Sequence, residues 1–328
     1  MGLGTVGNQM TSTNGDPLVS VVIASYNRAV LLEAAVRSGL NQDWPNIEVV
    51  VSDDASSDNS IETLRKIGDP RVRFTAHPGH VGVWKNWTTA LQMARGDYVV
   101  FLGDDDWIDP TFVRKHIRVF RKHTGIEAVF SSLEDRPDDG SPSRFMRIPL
   151  PPETAVDATW LVDGLLDDQV FFGAALFRRD CAQRIWADTE QDGMVADWGL
   201  ILGLALQPLA RVGSWNEVLY IKRLHAKRLS SRFKEVTALM AAVCERMSRM
   251  AVDGKAKSRL KKRSVLERIT LSRHHAAEGN TAACRSVLWS CFGERYAQGI
   301  VISQLLQSYF LPGRLFQTSR EQRPPETA

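Results

Sequence analysis

Apolar residues in this chain gather into short continuous runs that alternate with stretches of helical spacing. Leu18 to Ala24 (LVSVVIA), Ile47 to Val51 and Tyr98 to Leu102 are of a length that suits strands covered on both faces. Between them, Leu31, Leu32, Ala35 and Val36 share one helical face, and Trp84, Trp87, Leu91 and Ala94 repeat in the same way. Asp58 or Ser60 can cap a helix carrying Ile61, Leu64 and Ile67. Pro110 can open another that runs to His123, and Ile126 to Ser131 reads as a further strand. Strand and helix thus alternate over residues 18–132, which predicts an open, mostly parallel α/β sheet flanked by helices. Such sheets bind ligands outside the carboxyl ends of their strands.

The second half is less regular. Residues Arg136 to Pro152 are rich in Pro, Asp, Ser and Arg and read as a loop. Phe171 to Phe177 is expected to return to the sheet as a strand, and Trp198, Ile201, Leu202 and Ala205 mark a helix. From about Phe233 the pattern is helical and basic. The expected organisation is a disordered leader (1–17), a main domain (18–222, in halves 18–132 and 133–222), a helical C-terminal region (223–316) and a polar tail (317–328).

Composition narrows the class. With 328 residues, 44% hydrophobic and 24% charged, the chain can bury a core and is neither a disordered nor a collagen-like sequence. Cys181, Cys244, Cys284 and Cys291 form no CxxC pair, which argues against a zinc site or a disulfide scaffold and suits a reducing, cytoplasmic setting. No run approaches the roughly 18 apolar residues of a membrane span. The leader satisfies a dinucleotide pattern through Gly2, Gly4 and Gly7, but no strand precedes it, so the motif fails in context; Met10 is an alternative start. The formal charge of +3 conceals an asymmetry: Lys222 to Arg263 holds fourteen basic and three acidic residues, and the rest of the chain is net acidic. The basic segment can be solvated helix surface, or it can meet anionic lipid together with the apolar stretch from Ile300 to Phe316, which can equally pack on the core. Nucleic acid is not expected as a partner, because interleaved aromatic residues are lacking.

The candidate chemistry lies in the polar residues at the end of each strand. After the first comes Ser25, Tyr26, Asn27 and Arg28; after the second, Ser52, Asp53 and Asp54; after the third, Gly103, Asp104, Asp105 and Asp106. Consecutive carboxylates at a strand end repel unless solvated or neutralised, and a hard divalent cation such as Mn2+ or Mg2+, shared with substrate phosphates, relieves that repulsion. Asp54 is placed to accept hydrogen bonds from a nucleobase or ribose, and Tyr26 to offer a stacking face or simple rim packing. Asn86-Trp87-Thr88 is a glycosylation sequon within an expected helix, and His116 and His123 read as surface residues.

In order and spacing, SVVIASYNR, VVVSDDASSD and GVWKNWTTALQMARGDYVVFLGDDDWIDP resemble the family 2 glycosyltransferases of the GT-A fold. The resemblance implies metal-assisted transfer of a sugar, with inversion, from a UDP, GDP or dTDP sugar to an acceptor hydroxyl on a glycan or lipid-linked molecule. It also suggests work at the inner face of the cell membrane, with peripheral contact through the basic region. Residues 18–132 then form the nucleotide-sugar half and 133–222 the acceptor half. Ala24, Tyr26, Asn27, Asp54 and Asp104 match donor-binding positions, and Asp105 and Asp106 match metal ligands. Lys85 stands where a diphosphate cation can lie, or is a solvated helix lysine. GMVADWGLILGLA places Asp197 at the catalytic base, with Ala196 in place of a first acid; Trp198 can face an acceptor sugar or fill core. A noncatalytic nucleotide-sugar or glycan-binding relative is the alternative reading.

Overall fold

The computed structural model describes residues 15–225, 233–294 and 297–310. The leader up to residue 14, the apolar residues after 310 and the polar tail lie outside the described residues.

The strands are β1 (Val19–Ser25), β2 (Ile47–Asp53), β3 (Val72–Ala76), β4 (Tyr98–Phe101), β5 (Trp107–Ile108), β6 (Ala128–Pro137), β7 (Arg144–Met146), β8 (Thr154–Asp157), β9 (Ala175–Arg178) and β10 (Arg211–Leu224). The helices are α1 (Ala29–Leu40), α2 (Ser60–Ile67), α3 (Val83–Met93), α4 (Phe112–Lys122), α5 (Trp160–Leu166), α6 (Arg179–Trp186), α7 (Ala196–Ala205), α8 (Phe233–Met250), α9 (Gly254–Ala277), α10 (Thr281–Cys291) and α11 (Gln298–Phe310). One sheet runs in the order β3-β2-β1-β4-β9-β6-β10-β5.

The apolar runs are continuous because both faces of the sheet are covered. Val19, Val21, Ile23, Val49 and Val51 pack with Leu32, Ala35 and Val36 of α1 and Phe112, Val113 and Ile117 of α4. The residues of opposite parity, among them Val22, Val50, Val99 and Phe101, face α3 and α5 to α9. A period of two sorts one run into two cores.

Only part of the sheet is parallel. β3, β2, β1 and β4 pair in parallel, as does β6 with β10. β9 is antiparallel to both β4 and β6, and β5 and β8 are antiparallel to β10. The expected strand from Phe171 is shorter: residues Phe172–Ala174 form a 3-10 turn before β9 begins. The expected loop after Arg136 is partly a hairpin, since β6 continues to Pro137 and pairs with β7. His116 is not a surface residue: it is fully buried, stacked on Phe112 at 4.0 Å, and its Nδ1 lies 2.7 Å from the Phe112 carbonyl. Burial pushes its pKa down to about 4, so the ring is a neutral core group.

The basic segment is woven into the body by ion pairs. Lys255 and Arg259 of α9 meet Asp163 on α5, Arg259 also meets Asp167, and Arg246 of α8 grips Asp192 through both carboxylate oxygens at 2.6 and 2.7 Å. Val243, Cys244, Met247 and Leu260 on the inner faces of these helices join the core of the α/β body. Other α9 positions, including Lys257 and Lys262, are exposed. Among the described residues no helix is long and apolar enough to cross a membrane.

Asp192 has a side chain only 3% exposed, against 25% for Arg246. Removing the arginine leaves a buried carboxylate uncompensated, so R246A should cost about 3 kcal/mol in chemical denaturation. R37A, which breaks an exposed pair with Glu33, should cost less than about 0.5 kcal/mol in the same measurement.

Candidate active site

The acidic triplet occupies the turn between β4 and β5. These strands stand apart in the sheet order, so the turn runs across the strand ends that separate them. β5 then pairs with Tyr220 and Ile221 of β10. That pairing brings the end of β10 onto the triplet. The Tyr220 hydroxyl donates to Asp106 Oδ2 at 2.6 Å and accepts from the Gly103 N–H at 3.2 Å. The Arg223 N–H donates to Asp106 Oδ1 at 2.8 Å. His225 Nε2 lies 2.9 Å from Asp105 Oδ2.

From the other side, Arg28 reaches over from the junction of β1 and α1. Its Nη1 lies 3.3 Å from Asp104 Oδ1 and also contacts Asp105 Oδ2. Asp104 further accepts from the Tyr26 N–H at 3.4 Å. Burial pushes both Asp104 and Asp106 up to about 7, with the neighbouring Asp105 charge adding to the shift in each; Arg28 opposes it at Asp104 and the Tyr220 hydroxyl at Asp106. Gly103 is required by the crowding: a Cβ there would lie 2.6 Å from Asp106 Oδ2 and 3.0 Å from Asp105 Oδ1. The glycine lets the carboxylates fold back over their own strand end.

The ends of β1 and β2 form the adjoining shelf. Ala24 is partly exposed there, opposite Ser52 in the sheet register. Asn27, at φ 54°, spends its polar groups on the facing loop: its N–H donates to Ser56 Oγ and its Oδ1 accepts from the Ser57 N–H, both at 2.8 Å. Asp54 is almost fully buried and accepts from the Val81 and Gly82 N–H groups at 2.6 and 3.0 Å, with His80 Nδ1 at 3.0 Å. Its carboxylate fixes the 80–82 loop, and through it sets His80 against Tyr26, ring centroids 4.7 Å apart. Tyr26 is 45% exposed and presents an open aromatic face. Lys85 is exposed on the first turn of α3, and the sequon Asn86 is buried, donating to the Ser25 carbonyl at 3.1 Å.

Asp197 lies in the first turn of α7, where a carboxylate is favoured by the unpaired helix N–H groups. Desolvation nevertheless pushes it up to about 6, against the opposing field of Lys222. Lys222 stands 3.6 Å from Asp135 Oδ1 and 4.8 Å above the Phe171 ring, and its charge also reaches Asp106. The lysine's charge thus favours the ionised form of both Asp106 and Asp197. Trp198 is partly buried against the core with Arg263 over its ring at 5.4 Å.

The residues that sequence reasoning missed are Tyr220, Lys222, Arg223 and His225, all on or just after β10. The basic segment that begins at Lys222 masked the last three, and Arg28 stood out only as part of a polar strand end.

Among the described residues no three His, Cys, Asp or Glu side chains are gathered as a ready-made metal cage. The Asp105 and His225 pair does fit one ion: two neighbouring ligands each about 2.1 Å from a metal stand about 3 Å apart, and hard cations commonly complete their shell with water and substrate phosphate. Both oxygens of Asp106 already have donors within the fold, which leaves Asp105 better placed than Asp106 to ligate.

A half-sheet of parallel strands with polar ends, an acidic turn across it and a helical extension behind it is the GT-A class of nucleotide-binding α/β fold. The chain belongs to glycosyl transferase family 2, whose family model matches residues 20–186. It is 35% identical over 118 residues to the Escherichia coli UDP-Glc:alpha-D-GlcNAc-diphosphoundecaprenol beta-1,3-glucosyltransferase WfaP, a match covering 36% of this chain and 45% of that protein. Across eight curated relatives the match spans 13% to 45% of their own lengths. In structure it is similar to Staphylococcus aureus TarS 1-349 (TM-score 0.62, 16% identity, covering 92% of this chain and 91% of that one). It is also similar to the mannosyltransferase PcManGT of Pyrobaculum calidifontis, solved with GDP-Man and Mn2+ (TM-score 0.53, 18% identity, covering 93% and 84%).

Asp104, Asp106 and Asp197 bind protons more tightly in the folded chain than in the unfolded one. Between about pH 5 and 7 the folded state therefore carries more protons, and its stability falls as pH rises. Carboxylates lowered by their partners, such as Glu48 and Asp58, are ionised in both states across that window and do not offset the trend; the buried neutral His116 opposes it, as one group against three. Thermal scans without added metal should give a lower Tm at pH 8 than at pH 5.5, and D106N should flatten the slope.

Proposed function

We propose that this chain transfers a sugar, with inversion, from a nucleotide-diphosphate sugar to a hydroxyl of a glycan or lipid-linked acceptor. The observation that carries the reading is the facing pair Asp105 and His225 beside a buried acidic turn. Tyr26 and His80 would receive the base, on a shelf that Asp54 and Asn27 hold in shape. Asp104 lies where the sugar-nucleotide would pass from shelf to triplet, and Lys85 is a candidate for the diphosphate side. Asp105 and His225 would hold Mn2+ or Mg2+, which when bound neutralises charge on the leaving diphosphate. Asp197 takes the acceptor proton as the hydroxyl attacks the anomeric carbon. A carboxyl poised near 6 is ionised at neutral pH yet basic enough to accept that proton. The Mn2+ complex of the mannosyltransferase and the UDP-glucose and diphosphoundecaprenol specificity named for the glucosyltransferase agree with this donor and acceptor class.

The division of labour we infer is residues 18–132 for the donor, 133–222 for the acceptor and the helices α8 to α11 as a buttress. The reading includes work on the cytoplasmic side, with peripheral contact between the exposed basic positions of α9 and an anionic surface.

A screen of UDP, GDP and dTDP sugars with and without Mn2+ should reveal one donor class that is hydrolysed slowly or transferred. D105A should abolish turnover, and D197N should lower kcat by about a hundredfold or more with donor affinity retained. In wild type, kcat/KM should fall tenfold per pH unit below about 6. Full transfer by D197N would make the base assignment wrong, and donor binding without any turnover would favour a noncatalytic binder. For the membrane contact, wild type should sediment with phosphatidylglycerol vesicles at low salt and K257E/K262E should not; equal sedimentation of both would remove α9 from that role.

A further inference from the structure

Arg28 makes the most pointed contact in the site that the reaction scheme leaves unused. Its backbone is fixed, since the Arg28 carbonyl accepts the Leu31 and Leu32 N–H groups at 3.0 and 2.9 Å as α1 begins. Its guanidinium bridges Asp104 and Asp105 at side-chain exposures of 19%, 11% and 15%. It shares Asp105 Oδ2 with His225, so the oxygen that faces the imidazole is the same one that the guanidinium holds. A cation ligated by Asp105 and His225 would have to touch that oxygen too. Two cations on one carboxylate oxygen repel at contact distance, where a low-dielectric setting makes the repulsion strong.

We propose that Arg28 is an internal counter-ion for the metal-binding carboxylates: it holds Asp104 and Asp105 together in the donor-free chain and gives them up when a divalent cation binds. The inference rests on the metal-assisted reading above. Occupation by Arg28 lowers the apparent affinity for free metal by the fraction of molecules in which Asp105 is engaged. It also keeps the acidic turn ordered between turnovers, because the carboxylates never face one another without a positive partner. An arginine suits this role because its side chain is long enough to move aside while its backbone stays in the helix start.

The test is a titration of the full chain with Mn2+ alone, without nucleotide, read by the free-Mn2+ electron paramagnetic resonance signal and by calorimetry. R28Q keeps the stem and removes the charge; it should bind Mn2+ about tenfold more tightly than wild type. R28K, a single-point donor that cannot bridge two carboxylates as well, should fall between, and it serves as the reading if R28Q does not fold by circular dichroism. D105N in the R28Q background should lose the gain. Binding by R28Q within twofold of wild type, where wild type binds measurably, would overturn the proposal while leaving the metal reading intact. Absence of Mn2+ binding in wild type and R28Q alike would overturn both.

Discussion

Three carboxylates in a row at the end of a buried strand set the terms for everything around them. Desolvation and mutual repulsion both oppose their ionisation, so the fold must bring donors and cations to them from elsewhere in the chain. It does so from two directions. Arg28 arrives from the junction of β1 and α1, more than seventy residues earlier, and Tyr220, the Arg223 N–H and His225 arrive from β10, more than a hundred residues later. The two-residue strand β5 is the hinge of this arrangement, because its pairing with Tyr220 and Ile221 fixes the acidic turn against the end of β10. Gly103 completes it by leaving space that any side chain would fill.

The same constraint separates two kinds of polar residue at the strand ends. Asp53, Asn27 and Asp54 spend their hydrogen bonds on neighbouring loops, Asp53 accepting from both the N–H and the hydroxyl of Ser56 at 2.9 and 2.6 Å. Their work is to hold a shelf rigid. Tyr26 and His80 project from that shelf packed against each other, with Tyr26 45% exposed. A rigid polar frame with an exposed aromatic edge is economical for binding a flat base, since little side-chain freedom remains to be lost on binding.

Charge organises the larger scale as well. The basic helices α8 and α9 are partners of the acidic body before they are anything else: Asp163, Asp167 and Asp192 each find a cation there, and the inner helix faces continue the core. What remains for a membrane or other partner is the outward side of the same helices.

Much of this was legible from residues alone. The apolar runs at β1, β2 and β4 announced strands because burial on both faces leaves few polar positions within them (Ser20 and Glu48, which bond to each other at 2.6 Å), and the polar residues that end each run marked the ligand edge. Asp104 to Asp106 could be recognised as an uncommon concentration of charge in an apolar setting. β10 could not, since RVGSWNEVLYIKRL mixes polar and apolar positions across register shifts and merges into the basic segment. His116 was misjudged for a related reason: a histidine on a helix looks solvated until the neighbouring Phe112 ring and the packed sheet show that it is not. Local sequence determined the strands, the ligand edge and the acidic turn, because these depend on burial and on spacing along a few residues. Tertiary structure alone decided that Arg28, Tyr220 and His225 surround that turn. Those neighbours are set by strand order and long-range pairing, which no short stretch of sequence encodes.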